Sequence, residues 1–130
     1  MGQVWRGLVA VVALFNIVLG LGFLLDPASS ALRFFLSPLG TQGMATLRAD
    51  FTAFFITGGA AALIAAWRNE RGPLAVPIAL LALALVGRSV SLIADGVPAT
   101  AFPPMIVEAV MVAILLGARR SFGQARPSIA

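Results

Sequence analysis

Four ionisable side chains interrupt long apolar stretches of this 130-residue chain or lie at their edges: Asp50, Arg88, Asp95 and Glu108. Carboxylates can accept hydrogen bonds or transfer a proton, and a guanidinium can hold an anionic or carbonyl oxygen. A charge in hydrocarbon costs about 2.5–3.5 kcal/mol on insertion scales, so such groups normally face inward and pair. Their chemistry therefore depends on whether the helices that carry them bring them together.

Composition indicates a membrane protein. The chain is 60% hydrophobic and 11% charged, with a mean hydropathy of +1.00, whereas an ordinary soluble domain is about 25% charged. It has no cysteine and no histidine, which excludes disulfides, thiol nucleophiles and imidazole ligands. The nine arginines are scattered between apolar runs, which argues against a nucleic-acid partner. We expect neither an enzyme nor a resident metal.

Four apolar segments are long enough to cross a bilayer, which takes about 20 residues. They are predicted at residues 4–25, 44–67, 73–94 and 100–118. The short connections at 68–72 and 95–99 indicate antiparallel neighbours. The predicted fold is therefore all-α: an integral membrane four-helix up-down bundle over residues 1–120, followed by a flexible basic tail at 121–130.

The connection between the first two spans differs from the others. Asp26 followed by Pro27 is typical of a helix N-cap with proline at the first helical position. The residues that follow are too apolar for a solvated loop. We predict a short helix lying in the outer membrane interface over residues 28–36. A re-entrant segment or a merely apolar loop is the alternative.

The arginines predict the orientation. Only Arg33 lies in the connections opposite the termini, whereas six arginines lie on the side of the termini: Arg6, Arg68, Arg71, Arg119, Arg120 and Arg126. By the positive-inside rule, both termini are cytoplasmic. Membrane lipid is therefore an expected partner.

Helical periodicity predicts which residues of the second span face inward. At 100° per residue, Asp50 lies near Thr57 and Ala61, on a face of small residues that should pack closely against other helices. Arg48 lies on the opposite side, where its long side chain could reach headgroups. Two glycine motifs, Gly20-Leu21-Gly22 and Gly58-Gly59, lack the context of a nucleotide loop and are predicted to be packing positions. The small-residue face of the second span comprises Ala45, Ala49, Ala53, Thr57, Ala61 and Ala65.

Polar groups from several spans are predicted to converge toward the outer side. Arg88, Ser91 and Asp95 form one strip on the third span, and Asn16 and Glu108 lie at comparable heights on the first and fourth. The candidate ligand-binding cluster is Asn16, Arg48, Asp50, Arg88, Ser91, Asp95 and Glu108.

Two hypotheses account for this cluster. In the first, it lines a pocket beneath the interfacial segment, where Arg88 holds an anionic or carbonyl oxygen while Asp50 and Glu108 accept hydrogen bonds or titrate. In the second, it is an ion-pair network that only locks the register of the helices, because buried charges must neutralise one another.

Several of these motifs together resemble a known bacterial family. They are Leu47-Arg48-Ala49-Asp50-Phe51, Gly58-Gly59, Gly87-Arg88-Ser89, Asp95-Gly96-Val97-Pro98 and Glu108. Their order is similar to that of the family called domain of unknown function 4345, over residues 7–117. The resemblance implies a small four-helix inner-membrane protein without an assigned activity. A looser similarity to DoxX-like proteins, some of which are associated with quinone-linked redox systems, makes quinone a candidate ligand by analogy.

Three classes of function remain open. The first is a protein that binds a lipid, quinone or similar amphiphile in an outer-leaflet polar pocket. The second is an accessory or assembly subunit of a larger membrane complex, or a homo-oligomer, because the small-residue faces could receive partner helices. The third is a small transporter. Small multidrug exporters depend on a glutamate in the first helix, where this chain has Asn16, and this weakens the third class.

Overall fold

The computed structural model describes residues 2–123, and this part of the chain is all-helical, which confirms the all-α class. Four of its five helices are long and apolar enough to cross a membrane. Membrane insertion and the up-down order across it remain predictions. The helices are α1 (Gly2–Leu25), α2 (Pro27–Arg33), α3 (Gly40–Arg68), α4 (Gly72–Ala94) and α5 (Phe102–Ser121).

The helix α3 begins four residues before the predicted start at residue 44 and is not uniform. Between the α-helical parts Gly40–Thr46 and Thr52–Arg68 lies a π-helical turn, Leu47–Phe51. A π turn inserts an extra residue into the helical repeat, so it changes the angular position of everything before it relative to everything after it. A wheel drawn at a constant 100° per residue therefore does not hold across this helix.

The short helix α2 exists, and its N-terminus is built as predicted. The Asp26 carboxylate accepts a hydrogen bond from the Ser29 backbone N–H at 3.3 Å, and Pro27 occupies the first turn. The helix ends at Arg33, earlier than predicted. Phe35 adopts a left-handed conformation with φ 58°, and the Leu36 N–H bonds to the Ala31 carbonyl at 2.9 Å. This six-to-one bond is the mark of a Schellman motif, which ends the helix before residue 36 is reached.

The helices α1 and α3 are antiparallel and are tied at both ends by arginines. Arg6 Nε, near the start of α1, donates to the Ala66 carbonyl near the end of α3 at 2.8 Å. Arg48 Nε, early in α3, donates to the Leu24 carbonyl at the end of α1 at 3.1 Å. The last carbonyls of a helix lack partners within the helix, so each arginine satisfies a group that the other helix leaves open.

Glycines set the closest approaches in the bundle, as predicted for Gly20 and Gly59. A Cβ on Gly59 would lie 2.7 Å from Ile17 Cγ1 and 2.8 Å from the Ala13 carbonyl oxygen. A Cβ on Gly20 would lie 2.7 Å from Ile56 Cγ1. A larger residue at position 59 would require the backbone of α1 to move, and one at position 20 would require the Ile56 side chain to shift.

The prediction that the small-residue face of α3 packs closely against the other helices is wrong. Ala45, Ala49, Ala53 and Thr57 are exposed, and only Ala65 of the predicted set is fully buried. Because the Gly58-Gly59 pair allows a closer backbone approach than alanine does, the helix packs through that side instead. The buried face consists of Phe55, Gly58, Gly59, Ala62, Ala65 and Ala66.

Two separate cores hold the bundle together. The first, which we call the aliphatic core, contains Val9, Val12, Ala13, Ala62, Ala65, Ala66, Leu74, Leu81, Met111, Leu115, Ala118 and Phe122. The second, which we call the aromatic core, is centred on Phe23, whose ring centroid lies 4.8 Å from that of Phe51 and 5.2 Å from that of Phe34. It also contains Ala31, Leu47 and Phe55.

The start of the predicted flexible tail belongs to the bundle. Ser121 is the last residue of α5, and Phe122 is buried. The Gly123 N–H donates to the Asn69 carbonyl at 3.1 Å, and the Gly123 carbonyl accepts from the Arg71 N–H at 2.9 Å. The rest of the predicted tail, residues 124–130, lies outside the described residues.

Candidate functional site

An ion pair joins α4 to α5. Arg88 Nε donates to both carboxylate oxygens of Glu108, at 2.9 Å to Oε1 and 3.1 Å to Oε2. The Glu108 side chain is only 13% exposed and that of Arg88 is 37% exposed. Within residues 2–123 this is the only salt bridge.

The hairpin formed by α4 and α5 explains why these two residues meet. Arg88 lies six residues before the end of α4 at Ala94, and Glu108 lies six residues after the start of α5 at Phe102. At about 1.5 Å per residue, both lie about 9 Å from their ends of the connecting loop. Equal heights on adjacent helices allow a short, direct contact.

Arg88 also borders three cavities. The first, the Asp50 cavity, measures about 300 Å³ and lies between α2, α3, α4 and α5. Asp50, Arg88 and Glu108 are its ionisable groups. Its apolar lining consists of Phe34, Phe51, Phe54, Phe55 and Ala84.

The second cavity, the Pro104 cavity, measures about 210 Å³ and is bordered by the same ion pair. It shares Phe34, Phe54 and Phe55 with the Asp50 cavity, so the two adjoin. Its lining is mainly aromatic and aliphatic, with Arg33 from the end of α2 as an additional cation. The end of the α2 segment thus borders both cavities.

The third cavity, the Asp95 cavity, measures about 700 Å³ and lies where α4 meets the loop to α5. Its polar side chains are Arg88, Ser91 and Asp95. All three residues of the polar strip predicted on the third span therefore line the same cavity. Asp95 is the C-cap of α4, directly after Ala94, and its backbone N–H bonds to the Ser91 carbonyl at 2.8 Å.

Asp50 reaches its cavity differently from the prediction. It was expected to point inward with Thr57 and Ala61, but Asp50 and Thr57 are exposed and Ala61 is only partly buried. The π turn Leu47–Phe51 carries Asp50, which lines the cavity that Arg88 and Glu108 also border. It forms no salt bridge among the described residues. The three predicted charges share a cavity, but only two of them are in contact.

Two predicted members lie outside this cluster. Asn16 is buried in α1, where its Nδ2 donates to the Val12 carbonyl at 2.8 Å and contacts Met111 Sδ at 3.5 Å. Arg48 is held by the Leu24 carbonyl. Neither lines any of the three cavities. Each side chain donates a hydrogen bond to a nearby backbone carbonyl, so neither needs a hydrogen-bond partner in the charge cluster.

Sequence reasoning missed the aromatic lining. Phe34, Phe54 and Phe55 border both cavities beside the ion pair, and Arg33 borders one. The signal was present in the doublets Phe34-Phe35 and Phe54-Phe55, in a chain whose aromatic residues are nine phenylalanines and two tryptophans. All four phenylalanines of these doublets line the Pro104 cavity, so adjacent phenylalanines near a buried charge are a sequence signal for a cavity wall.

The arrangement can bind an oxygen anion. A guanidinium has five N–H donors, and Nε–H uses only one. Within the described part of the chain, the four donors on Nη1 and Nη2 of Arg88 have no acceptor. Carboxylate, phosphate and carbonyl oxygens match such a fork of donors, and the aromatic rings nearby suit an apolar chain.

Comparison of the chain with protein-family models, curated proteins and solved structures found no match. The resemblance to domain of unknown function 4345 and to DoxX-like proteins therefore rests on the sequence motifs alone. Any function must be argued from the site itself.

Proposed function

We propose that this protein binds a lipid, quinone or similar amphiphile, with the polar end of the ligand at Arg88 and its apolar part against Phe34, Phe54 and Phe55. The observation that carries the proposal is the position of Arg88. It borders three cavities while the terminal nitrogens of its guanidinium keep donors without acceptors in the described chain.

The Arg88–Glu108 pair suits a binding role because it keeps the arginine oriented and neutralised between ligands. Glu108 accepts a hydrogen bond only from the Nε–H, so the N–H groups on Nη1 and Nη2 remain available to a ligand. An unpaired arginine at this depth would be expensive to hold in hydrocarbon. The pair therefore permits a permanently charged anion-binding group inside an apolar bundle.

The hypothesis that the ion pair only fixes the register of the helices explains the pair but not the cavities beside it. Two adjoining cavities of about 300 and 210 Å³, both partly open to the outside of the bundle, border this pair and have mainly apolar walls. Ligand pockets typically occupy about 300–1,000 Å³ and combine apolar walls with a few convergent polar groups. The cavities favour binding over a lock.

The proposed location is the bacterial inner membrane, with both termini cytoplasmic. The four long apolar helices and the arginine bias of the sequence support it. The chain has no cysteine, so Ser37→Cys and Ser121→Cys introduce single thiols on opposite sides. A membrane-impermeant maleimide should label Ser37→Cys in intact cells and Ser121→Cys only after lysis. The reverse pattern would overturn the orientation.

The binding proposal is tested by native mass spectrometry of the full chain released from mild detergent. The wild type should retain an amphiphile whose mass identifies it as a lipid or a quinone. The double variant Arg88→Met/Glu108→Met replaces the pair by apolar groups of similar length, which commonly preserves folding. We expect this variant to lose at least about tenfold in occupancy, equivalent to about 1.4 kcal/mol.

The matched control is Arg68→Met, which removes one exposed arginine distant from all three cavities. It should retain the amphiphile at the level of the wild type. Equal retention by the double variant would reduce the pair to a structural lock. A wild-type chain that carries no amphiphile at any detergent concentration would refute binding altogether.

An accessory subunit of a larger membrane complex is the second candidate, and the exposed small residues of α3 favour it. Ala53 and Thr57, one turn apart after the π turn, lie on a face that no helix of the described chain covers, and Ala45 and Ala49 are exposed as well. Such faces allow another helix to approach closely in a membrane. A gently solubilised native complex whose mass equals that of this chain with lipid alone would exclude a partner subunit.

A further inference from the structure

The Asp95 cavity contains charges of both signs. Arg88 and Asp95 are seven residues apart on α4, which is about two turns, so both lie on one face about 10.5 Å apart along the helix. Ser91 lies between them and lines the same cavity. A ligand that spans this strip meets a cation, a hydroxyl and an anion in succession.

Asp95 is exposed and is the C-cap of α4, where the partial negative charge of the helix dipole favours cations. Its carboxylate forms no hydrogen bond or salt bridge with the residues at positions 2–123. Arg88, the nearest cation on that face, already has Glu108 as its counterion. A positively charged group in the cavity would therefore be attracted to Asp95.

We infer that the bound amphiphile has a zwitterionic headgroup, with a phosphate at Arg88 and a primary ammonium at Asp95. This inference rests on the proposed function. A phosphoethanolamine headgroup has these two charges, joined by a two-carbon link. The Ser91 hydroxyl lies on the same strip and can donate to a phosphate oxygen. The chemical class is a phosphatidylethanolamine-type phospholipid, whose acyl chains lie against Phe34, Phe54 and Phe55 as in the proposed function.

Charge complementarity separates this class from an anionic lipid. With Arg88 and Glu108 neutralising each other, Asp95 leaves the cavity with one net negative charge. A phosphatidylglycerol headgroup would satisfy Arg88 but place only hydroxyls beside Asp95. A phosphatidylethanolamine headgroup satisfies both, and a hydrogen bond between two charged groups is among the stronger ones.

The experiment titrates the full chain, delipidated in detergent, with phosphatidylethanolamine and phosphatidylglycerol of identical acyl chains, and measures bound fractions by native mass spectrometry. The wild type should prefer phosphatidylethanolamine by about tenfold, which corresponds to about 1.4 kcal/mol. Asp95→Asn should bring the ratio close to one and leave phosphatidylglycerol binding equal or stronger, because repulsion is removed. Glu70→Gln, which removes a carboxylate in the loop at the opposite end of α4, should keep the tenfold preference.

The outcomes distinguish this inference from the function on which it rests. Equal binding of both lipids by the wild type, or a tenfold preference that survives in Asp95→Asn, would overturn the zwitterion assignment and leave amphiphile binding intact. Failure of the wild type to bind either lipid, or any copurifying amphiphile, would overturn both.

Discussion

The two cores of this molecule are packed by different kinds of side chain. The aliphatic core is filled by alanine, valine and leucine, with Gly59 pressed against the backbone of α1. The aromatic core stacks rings around Phe23 and borders cavities. Gly59 and the small residues bring α1 and α3 into close contact, whereas the rings around Phe23 border the Asp50 cavity. The close helix contact and the Asp50 cavity thus involve different cores.

The largest effect is expected where the aromatic core has its centre. Phe23 is fully buried and contacts Phe34, Phe51 and Phe55. Phe23→Ala should destabilise the protein by about 3–5 kcal/mol, because the cavity left behind cannot close. Thermal unfolding followed by tryptophan fluorescence measures this. Phe102→Ala, at an exposed position, is the control, and an equal loss there would mean that the rings around Phe23 have no special role.

In the aliphatic core, adding one methyl group is the informative change. Gly59→Ala places a carbon within 2.8 Å of the Ala13 carbonyl oxygen, so we expect a loss of about 1–3 kcal/mol from overpacking. Gly87→Ala adds the same methyl where nothing lies within 4 Å. That variant should gain up to about 1 kcal/mol from helix propensity. The same thermal assay compares the two, and similar behaviour would contradict the tight contact of α1 with α3.

A smaller effect is expected at the ion pair. Glu108→Gln removes the counterion of Arg88 but keeps an acceptor oxygen, so the expected loss is about 1–2 kcal/mol. Glu70→Gln, in the loop before α4, should change the free energy of unfolding by less than about 0.5 kcal/mol. Chemical or thermal unfolding at low and high salt measures both. Equal stability of the two variants would show that the ion pair contributes little to the free energy of unfolding.

The smallest effect concerns the cap of α2. Hydrogen bonds from the Ser29 side chain and backbone, with a lesser contribution from Arg33, lower the pKa of the Asp26 carboxyl below its usual 3.8. A lowered pKa means that the cap stabilises α2 above pH 3.8 and is lost as the pH falls through the folded value. The Ser29 amide resonance should titrate accordingly in NMR spectra. Asp26→Asn, which caps without ionising, should show no such titration.

Hydropathy and capping residues predicted the helices because they are local properties. The spans follow from runs of apolar residues, and α2 follows from Asp26 and Pro27. The faces of α3 could not be predicted in this way. Its orientation depends on the π turn Leu47–Phe51 and on how closely Gly58-Gly59 approaches its neighbours, which are properties of the packed bundle.

The candidate site, too, could be predicted only in part. Arg88 and Glu108 meet because a short hairpin fixes their heights, and this much the sequence spacing predicted. The candidate cluster also included Asn16, for its comparable height on the first span, and Arg48, on the opposite side of the second span from Asp50, but each bonds to a backbone carbonyl within reach. The phenylalanine walls were not predicted, since an apolar residue in an apolar span shows no contrast with its neighbours.

The π turn in α3 gives this chain one place where a residue can be lost. Removing a single amino acid between Leu47 and Phe51 would convert the turn into regular α-helix and leave Gly40–Thr46 and Thr52–Arg68 close to their present relative orientation. A deletion in an α-helical turn on either side would instead rotate the preceding segment by about 100°. Frame-preserving deletions are therefore expected to harm the fold less within these five positions than in the turns on either side.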